Sequence, residues 1–259
     1  MDVIKYYYIY IIYKSKIMIT SKENQKIKHI KKLISSKKYR YDNKEYILEG
    51  EKFINDSTNI REVYVNEKFN ISRLKNSNLN LEVISNNIFD KIKETKNTQG
   101  VISIIKMNYE ILRNSEKIKS GKFIYLDNIQ DPGNIGTIIR SAVAFNFNGI
   151  IFGKGTCDIY NEKTIRSSAG SIEKIKMFFI EDEKILYKNN LISADINGKN
   201  INKFKFPENY ILAIGNEGNG LSENIIKNSK EIISIPISKN IESLNAGVSA
   251  GIIMAFSNI

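Results

Sequence analysis

One cysteine and one histidine are all that this chain of 259 residues offers for thiol or imidazole chemistry. Cys157 alone excludes a disulfide framework within the chain and suits a reducing compartment, so a cytoplasmic location is expected. His29 lies in the Lys-rich helical pattern KIKHIKKL, which leaves no histidine for a zinc site or for a Ser–His or Cys–His nucleophile pair. No metal is expected, and the chemistry falls to Arg, Lys, Asp, Glu, Ser, Asn, backbone amides or a cofactor. Arginine is scarce as well, with six (40, 61, 73, 113, 140 and 166) against 33 lysines. In so Lys-biased a chain, an Arg inside an apolar helix suggests that the planar guanidinium fork is needed, surface pairing being the plain alternative. A long apolar run is missing too. The stretch from Tyr6 to Tyr13 is too short to span a bilayer and has no small-residue cleavage site beside it. No membrane partner is expected, and residues 1–17 are read as an upstream extension, with Met18 the natural start.

What is present is unevenly placed. Residues 1–120 hold 24 Lys and Arg against 14 Asp and Glu, whereas residues 121–259 hold 15 against 14. A basic half followed by a neutral one fits a polyanion partner for the first; Lys-rich solubilisation is the bland alternative. Thirteen of the fifteen glycines and all three prolines fall after residue 120, so the second half is the one controlled by turns and loops.

Hydrophobic spacing gives the architecture. From Ser21 to Lys38 the apolar residues Ile27, Ile30, Leu33 and Ile34 make one face of a basic helix. EYILEG, REVYVN, LEVISN and GVISIIKM read as strands, with EKFIND and NIFDKIKET helical between them, which makes a small α/β domain over 18–107. The polar stretch 108–120 is expected to be a linker. Over 121–259, KFIYL, GIIF, IKMFFI, LISAD, NYILAIG and EIISIPI read as short apolar strands. NIGTIIRSAVAFN, YNEKTIRSS, DEKILYKN, SENIIKNS and a last segment from about Leu244 to Ser257 read as helices. The alternation predicts a mostly parallel sheet covered on both faces.

Two phosphate-binding motifs are excluded by spacing. In GKGT (153–156), Gly149 and Gly153 have three residues between them where the P-loop needs four, and Gly155 stands where Ser or Thr should follow the lysine. GNEGNG (215–220) reverses the dinucleotide fingerprint and carries its acid, Glu217, inside the loop. Three other features share a polar character: Asn128, Asp131, Asn134 and Arg140 in LDNIQDPGNIGTIIRSA, Arg166 in IRSSAG, and Ser243 and Asn245 in IPISKNIESLNAGVSAGI. The last two stand where helix N-caps are expected.

NIGTIIRSA, IGNEGNGLS and IPI…ESLNAGVSAGI, in this order, resemble the three signature motifs of the SpoU-type (TrmH-like) branch of SPOUT RNA methyltransferases. DIYNEKTIRSSAG resembles the segment between the first two motifs. ITSKENQKIKHIKKL…EYILEGEKFI…TQGVISI is similar to the substrate-binding domain of the ribosomal-RNA members.

The resemblance implies an α/β catalytic domain with a trefoil knot over 121–259, preceded by an RNA substrate-binding domain over 18–107. It implies S-adenosylmethionine as cofactor and an RNA ribose 2′-hydroxyl as acceptor, with ribosomal RNA favoured, transfer RNA as an alternative, and no DNA. A homodimer is implied as well. By the family pattern Arg140 is the central catalytic residue, with Asn134 and Glu217 as positioning groups and Ser243 and Asn245 on the substrate or on Arg140. Gly215, Ile235 and Leu244 would hold the cofactor through their backbone, together with Asn216, Gly218, Gly220, Pro236 and Ile237. Gly247 departs from the pattern and is expected to loosen the last helix start. Base methylation and a non-catalytic ribosome-assembly role are the rival readings.

Overall fold

The computed structural model of the chain describes residues 18–75, 79–92 and 98–258. The expectation for residues 1–17 and the end of the NIFDKIKET helix lie outside them. Two compact units are present: one runs to Met107 and includes Tyr160–Glu162, and the other holds Asn108–Ile159 and Lys163–Ile259.

In the first unit α1 (Gln25–Ser35) starts at Asn24, whose side chain accepts from the Lys26 amide at 2.9 Å. Ile27, Ile30 and Leu33 are its buried stripe, worth about 1.5–3 kcal/mol each on burial. The single helix expected to Lys38 is broken at Ser36, which is extended (φ −125°, ψ 111°) and whose hydroxyl caps α2 (Lys37–Asn43) by accepting from the Tyr39 amide. A serine there offers the backbone an alternative to the helical bond, so two short helices replace one. The Arg40 guanidinium, buried, donates to the carbonyls of Leu33 at 2.5 Å and Ile34 at 2.9 Å and closes the end of α1. Next come β1 (Glu45–Glu49), α3 (Glu51–Asp56), β2 (Ile60–Asn66), β3 (Leu81–Ile84), α4 (Asn86–Phe89) and β4 (Val101–Lys106). The sheet order is β1-β4-β2-β3, with β4 antiparallel to β1 and β2, and β3 parallel to β2. One face packs on Ile27, Ile30 and Leu33, the other on Ile54, Leu74 and their neighbours.

The second unit holds β5 (Glu110–Leu112), β6 (Lys122–Asp127), α5 (Pro132–Ala144), β7 (Gly149–Phe152), α6 (Glu162–Ser168), β8 (Lys176–Ile180), β9 (Leu191–Asn200), β10 (Tyr210–Gly215), α7 (Glu223–Asn228), β11 (Glu231–Ser234) and α8 (Ala246–Phe256). Its sheet order is β11-β9-β10-β6-β7-β8-β5, and every pairing is parallel. Residues 108–120 are thus more than a connection, because Glu110–Leu112 lie along β8 as an edge strand. DEKILYKN supplies only a 3-10 turn at Glu183–Ile185 in place of a helix. Leu186 is fully buried directly after it, and Leu191 already starts the next strand. β11 stops at Ser234, ahead of Pro236, which has no amide to give a ladder.

The topology fixes where a ligand can sit. From β6 the chain steps outward through β7 and β8, then returns to build β9, β10 and β11 on the other side. β6 and β10 are neighbours in the middle, with Asp127 opposite Gly215 at their carboxyl ends. In an open parallel sheet the crevice outside such a switch point is the place for ligands.

Candidate active site

Two loops leave that switch point and are sewn together. After β6 comes Asn128, left-handed at φ 57°, and then Asp131, whose carboxylate caps α5 by accepting from the Asn134 amide at 2.9 Å. Lys163 on α6 pairs with the same carboxylate at 2.8 Å and holds its carboxyl below the usual range. After β10 comes the glycine loop. Asn216 and Gly220 exchange two backbone hydrogen bonds of 2.9 Å, and the Asn216 side chain accepts from the amides of Gly218 and Asn219 at 3.0 Å each.

Glu217 is the main tie between the loops. Its carboxylate accepts from the Asn134 side chain at 2.7 Å and from the backbone amides of Gln130 and Asp131 at 3.3 Å each. Asn216 donates to the Asn128 carbonyl at 2.8 Å, and the Ser222 amide donates to the buried Asp127 at 2.8 Å. Burial acts to raise the Glu217 carboxyl, but the donors from Asn134, Gln130 and Asp131 outweigh it and keep the group anionic below the usual range.

The glycines have separate reasons. A Cβ at Gly215 would lie 2.3 Å from the Gly220 carbonyl carbon and from the Leu221 nitrogen, so the strand end must be bare for the loop to fold back on it. Gly220 has open space around it but sits at φ +69°, a conformation that suits glycine. Gly218 meets nothing closer than 3.6 Å. Close approach of the loop to itself thus explains Gly215 without invoking a ligand.

The loop walls a cavity of about 380 Å³, the size of small-molecule sites. Gly215 to Gly220, Ile235, Ile237, Ser243 and Leu244 line it, so the structure brings together most of the residues singled out in the sequence. Pro236, between two lining residues, does not face it, and Asn134 reaches it only through Glu217. Asn245 is likewise not a lining residue; it is the N-cap of α8, its side chain accepting from the Val248 amide at 3.2 Å. Arg140 is exposed on α5 with no polar partner among the described residues, and it does not line the cavity. Gly247 is tightly set, a Cβ there lying 3.2 Å from Thr137 on α5, so the small residue belongs to the α5–α8 contact.

Sequence reasoning missed the far wall: Ala194, Asp195 and Ile196 in β9, Glu242, and Ser249 and Ile253 on α8. Asp195 follows an apolar strand run, which is the signal that could have found it. Asp195, Glu217 and Glu242 make the polar part of the wall acidic, and Ile235, Ile237 and Ile253 make the rest apolar. Such a wall suits a flat heterocycle joined to a cation, and among the described residues no group of His, Cys, Asp and Glu could hold a metal ion.

Comparison with known proteins agrees. Residues 121–255 match the SpoU rRNA Methylase family and residues 24–103 the MRM3-like substrate binding domain. The chain is 28% identical over 246 residues to the 23S rRNA (guanosine(2553)-2′-O)-methyltransferase RlmP of Bacillus subtilis, covering 91% of this chain and 97% of that protein. It is 33% identical over 199 residues to an uncharacterized tRNA/rRNA methyltransferase of Borreliella burgdorferi, covering 70% of this chain and 87% of that one. Among solved structures, the AdoMet-bound rRNA methyltransferase from Sinorhizobium meliloti superposes with a TM-score of 0.80 at 23% identity, over 93% of this chain and 97% of that one. The SpoU methyltransferase AviRb from Streptomyces viridochromogenes, in complex with AdoMet, gives 0.79 at 21% identity, over 91% and 98%. The shared architecture is the knotted α/β fold expected from the motifs. With the family match spanning residues 121–255, over half of the chain, and a second match on the unit before it, the chain belongs to the SpoU rRNA methylase family.

Proposed function

We propose that the protein transfers a methyl group from S-adenosylmethionine to a ribose 2′-hydroxyl of 23S ribosomal RNA. One observation carries the reading: the glycine loop, the 235–244 segment and the start of α8 enclose one cavity, and Glu217 ties that cavity to the start of α5. The backbone of Gly215, Asn216, Gly218, Gly220, Ile235, Ile237 and Leu244 would hold the cofactor, and the three carboxylates would favour its positive charge. When bound, the cofactor supplies an electrophilic methyl on a sulfonium and so needs no metal.

The chain's own residues then have the acceptor to manage. A ribose hydroxyl is a poor nucleophile, and its proton must leave, here to solvent water, as its oxygen takes the methyl and the sulfonium becomes a neutral thioether. Arg140, exposed and without a polar partner among the described residues, is placed to take a phosphate and the 2′-hydroxyl in its fork. Its role is orientation and charge stabilisation, because the planar fork offers donors and no acceptor for a proton. Asn134 and Glu217 position the helix that carries Arg140. Ser243 stands at the cavity rim for the substrate, and Asn245 acts by fixing the helix start beside it.

We assign residues 18–107 to RNA docking and 121–259 to methyl transfer, a division supported by the two compact units and by the basic composition of the first. Ribosomal RNA is favoured because the chain matches RlmP over nearly its full length. A homodimer built on α8 is supported by Val248 and Phe256, which are 49% and 40% exposed on that helix. Action in the cytoplasm goes with ribosomal RNA as substrate, and among the described residues no helix is long and apolar enough to cross a membrane. The test is transfer of labelled methyl from S-adenosylmethionine to 23S and transfer-RNA transcripts, with nuclease mapping of the 2′-O-methyl site. Transfer to transfer RNA alone, or to a base, overturns the reading.

A further inference from the structure

The net positive charge of residues 18–107 falls in one stretch of them. Residues 18–44 carry nine Lys and Arg against two Asp and Glu, whereas residues 45–107 carry nine against nine. Within residues 18–107 the whole excess therefore belongs to α1, α2 and the few residues that flank them.

The pairing of the lysines sharpens the contrast. Lys26 reaches toward the sheet and pairs with Glu82 at 2.7 Å, and Lys28 pairs with Glu23 at 2.7 Å. Around the bend between the helices, Lys31, Lys32, Lys37 and Lys38 have no carboxylate partner among the described residues. Two of them lie over aromatic rings instead: Lys32 is 5.3 Å from the Tyr39 centroid and Lys37 is 5.8 Å from that of Tyr41. Elsewhere in the unit Arg61 pairs with Glu45 at 3.1 Å and Arg73 with Glu51 at 2.5 Å, and Lys52, Lys68, Lys75 and Lys91, also without an ion pair among the described residues, are spread along a charge-balanced stretch. The bend itself is firm. Ser36 caps α2, the Arg40 guanidinium locks the end of α1, and the Tyr39 hydroxyl meets His29 at 2.9 Å. Four ammonium groups without an ion pair among the described residues thus stand on a firm bend, and two of them lie over tyrosine rings. Such a surface matches a phosphate backbone with bases able to stack nearby.

We propose that the α1–α2 bend, through Lys31, Lys32, Lys37 and Lys38, is the surface by which the first unit grips the RNA backbone. The inference rests on the methyltransferase reading and deepens it, by choosing this bend over the sheet faces and the charge-balanced remainder of the unit. The lysines contribute sequence-independent affinity, and selection of the nucleotide is left to the second unit.

The experiment compares three full-length proteins: wild type, a bend variant with Lys31, Lys32, Lys37 and Lys38 all changed to Gln, and a control with Lys52, Lys68, Lys75 and Lys91 changed to Gln. Both variants lose the same charge. Binding to a labelled 23S transcript is titrated at several salt concentrations, with melting temperature and S-adenosylmethionine affinity measured alongside. The bend variant should bind roughly tenfold to a hundredfold more weakly, with a salt slope shallower by about 3. The control should stay within about threefold of wild type on the same salt-dependent scale. Unchanged melting temperature and cofactor affinity keep folding and the cofactor site out of the comparison. Equal RNA affinities for the two variants overturn the bend as the docking surface while wild-type methyl transfer still upholds the function. Absence of RNA binding and transfer in the wild type overturns both.

Discussion

Replacing Gly215 by Ala puts a methyl where the backbone of Gly220 and Leu221 already stands, 2.3 Å from a carbonyl carbon and from a nitrogen. Neither atom belongs to a side chain that can swing aside. Ordinary van der Waals contact starts near 3.4 Å, so the returning arm must retreat by about 1 Å. That retreat breaks the pair of 2.9 Å hydrogen bonds between Asn216 and Gly220, at about 0.5–1.5 kcal/mol each, with roughly 1–3 kcal/mol more for overpacking. The expected cost is about 2–6 kcal/mol, concentrated in the loop that walls the cavity. Gly220→Ala has room but is held at φ +69°, for about 1 kcal/mol. Gly218→Ala has both room and an ordinary backbone and should change little. Calorimetric titration with S-adenosylmethionine should therefore rank the variants Gly215, Gly220, Gly218, with Gly215→Ala weakened by about one to four orders of magnitude at about 1.4 kcal/mol per decade. Wild-type affinity in Gly215→Ala, or a larger loss at Gly218 than at Gly215, would refute the view that the loop must close upon its own strand.

Arg140→Lys keeps the charge and loses the fork, so methyl transfer should drop by about two orders of magnitude with cofactor affinity unchanged; wild-type turnover would return Arg140 to the solvated surface. The depressed Glu217 carboxyl makes the loop tie acid-sensitive: its contribution is complete above the usual carboxylate range near about 4.3 and fades as pH falls through the lower native value. Cofactor affinity followed from pH 6 to about pH 3 should decline in wild type and run flatter in Glu217→Gln, and superimposable profiles would count against the tie. Arg40→Met removes the donors on the Leu33 and Ile34 carbonyls in a buried setting and should lower stability by about 2–4 kcal/mol in denaturant unfolding.

Most of the fold could be read from spacing, because its strands are short apolar runs and its helices carry stripes such as Ile27, Ile30 and Leu33. The places that resisted share a cause. β5 is three residues long with only Leu112 buried, so its pattern holds too little signal to stand out from a polar connection. The turn at Glu183–Ile185 has the composition of a helix but only ten residues between two parallel strands in which to form one. At the site, the Gly-rich loop was conspicuous, while the reason for each glycine needed the returning Gly220–Leu221 backbone. The bond between Asn134 and Glu217 spans 83 positions, and no local pattern carries such a pairing. Asn245 shows the opposite: its plainest reading, a helix cap, is the contact the structure contains.

Glu217 belongs to the cavity wall, yet three of its hydrogen bonds end at the start of the helix that carries Arg140. Whatever fills the cavity and stills residues 215–220 therefore also removes freedom from residues 128–134, before RNA arrives. The ordering cost met by the second ligand is then smaller than it would be on the free protein. The two ligands should cooperate without any change of shape, the cofactor tightening RNA and RNA tightening the cofactor by the same factor. Amide exchange at Asn134, itself donating to Asp131, should slow on cofactor binding alone.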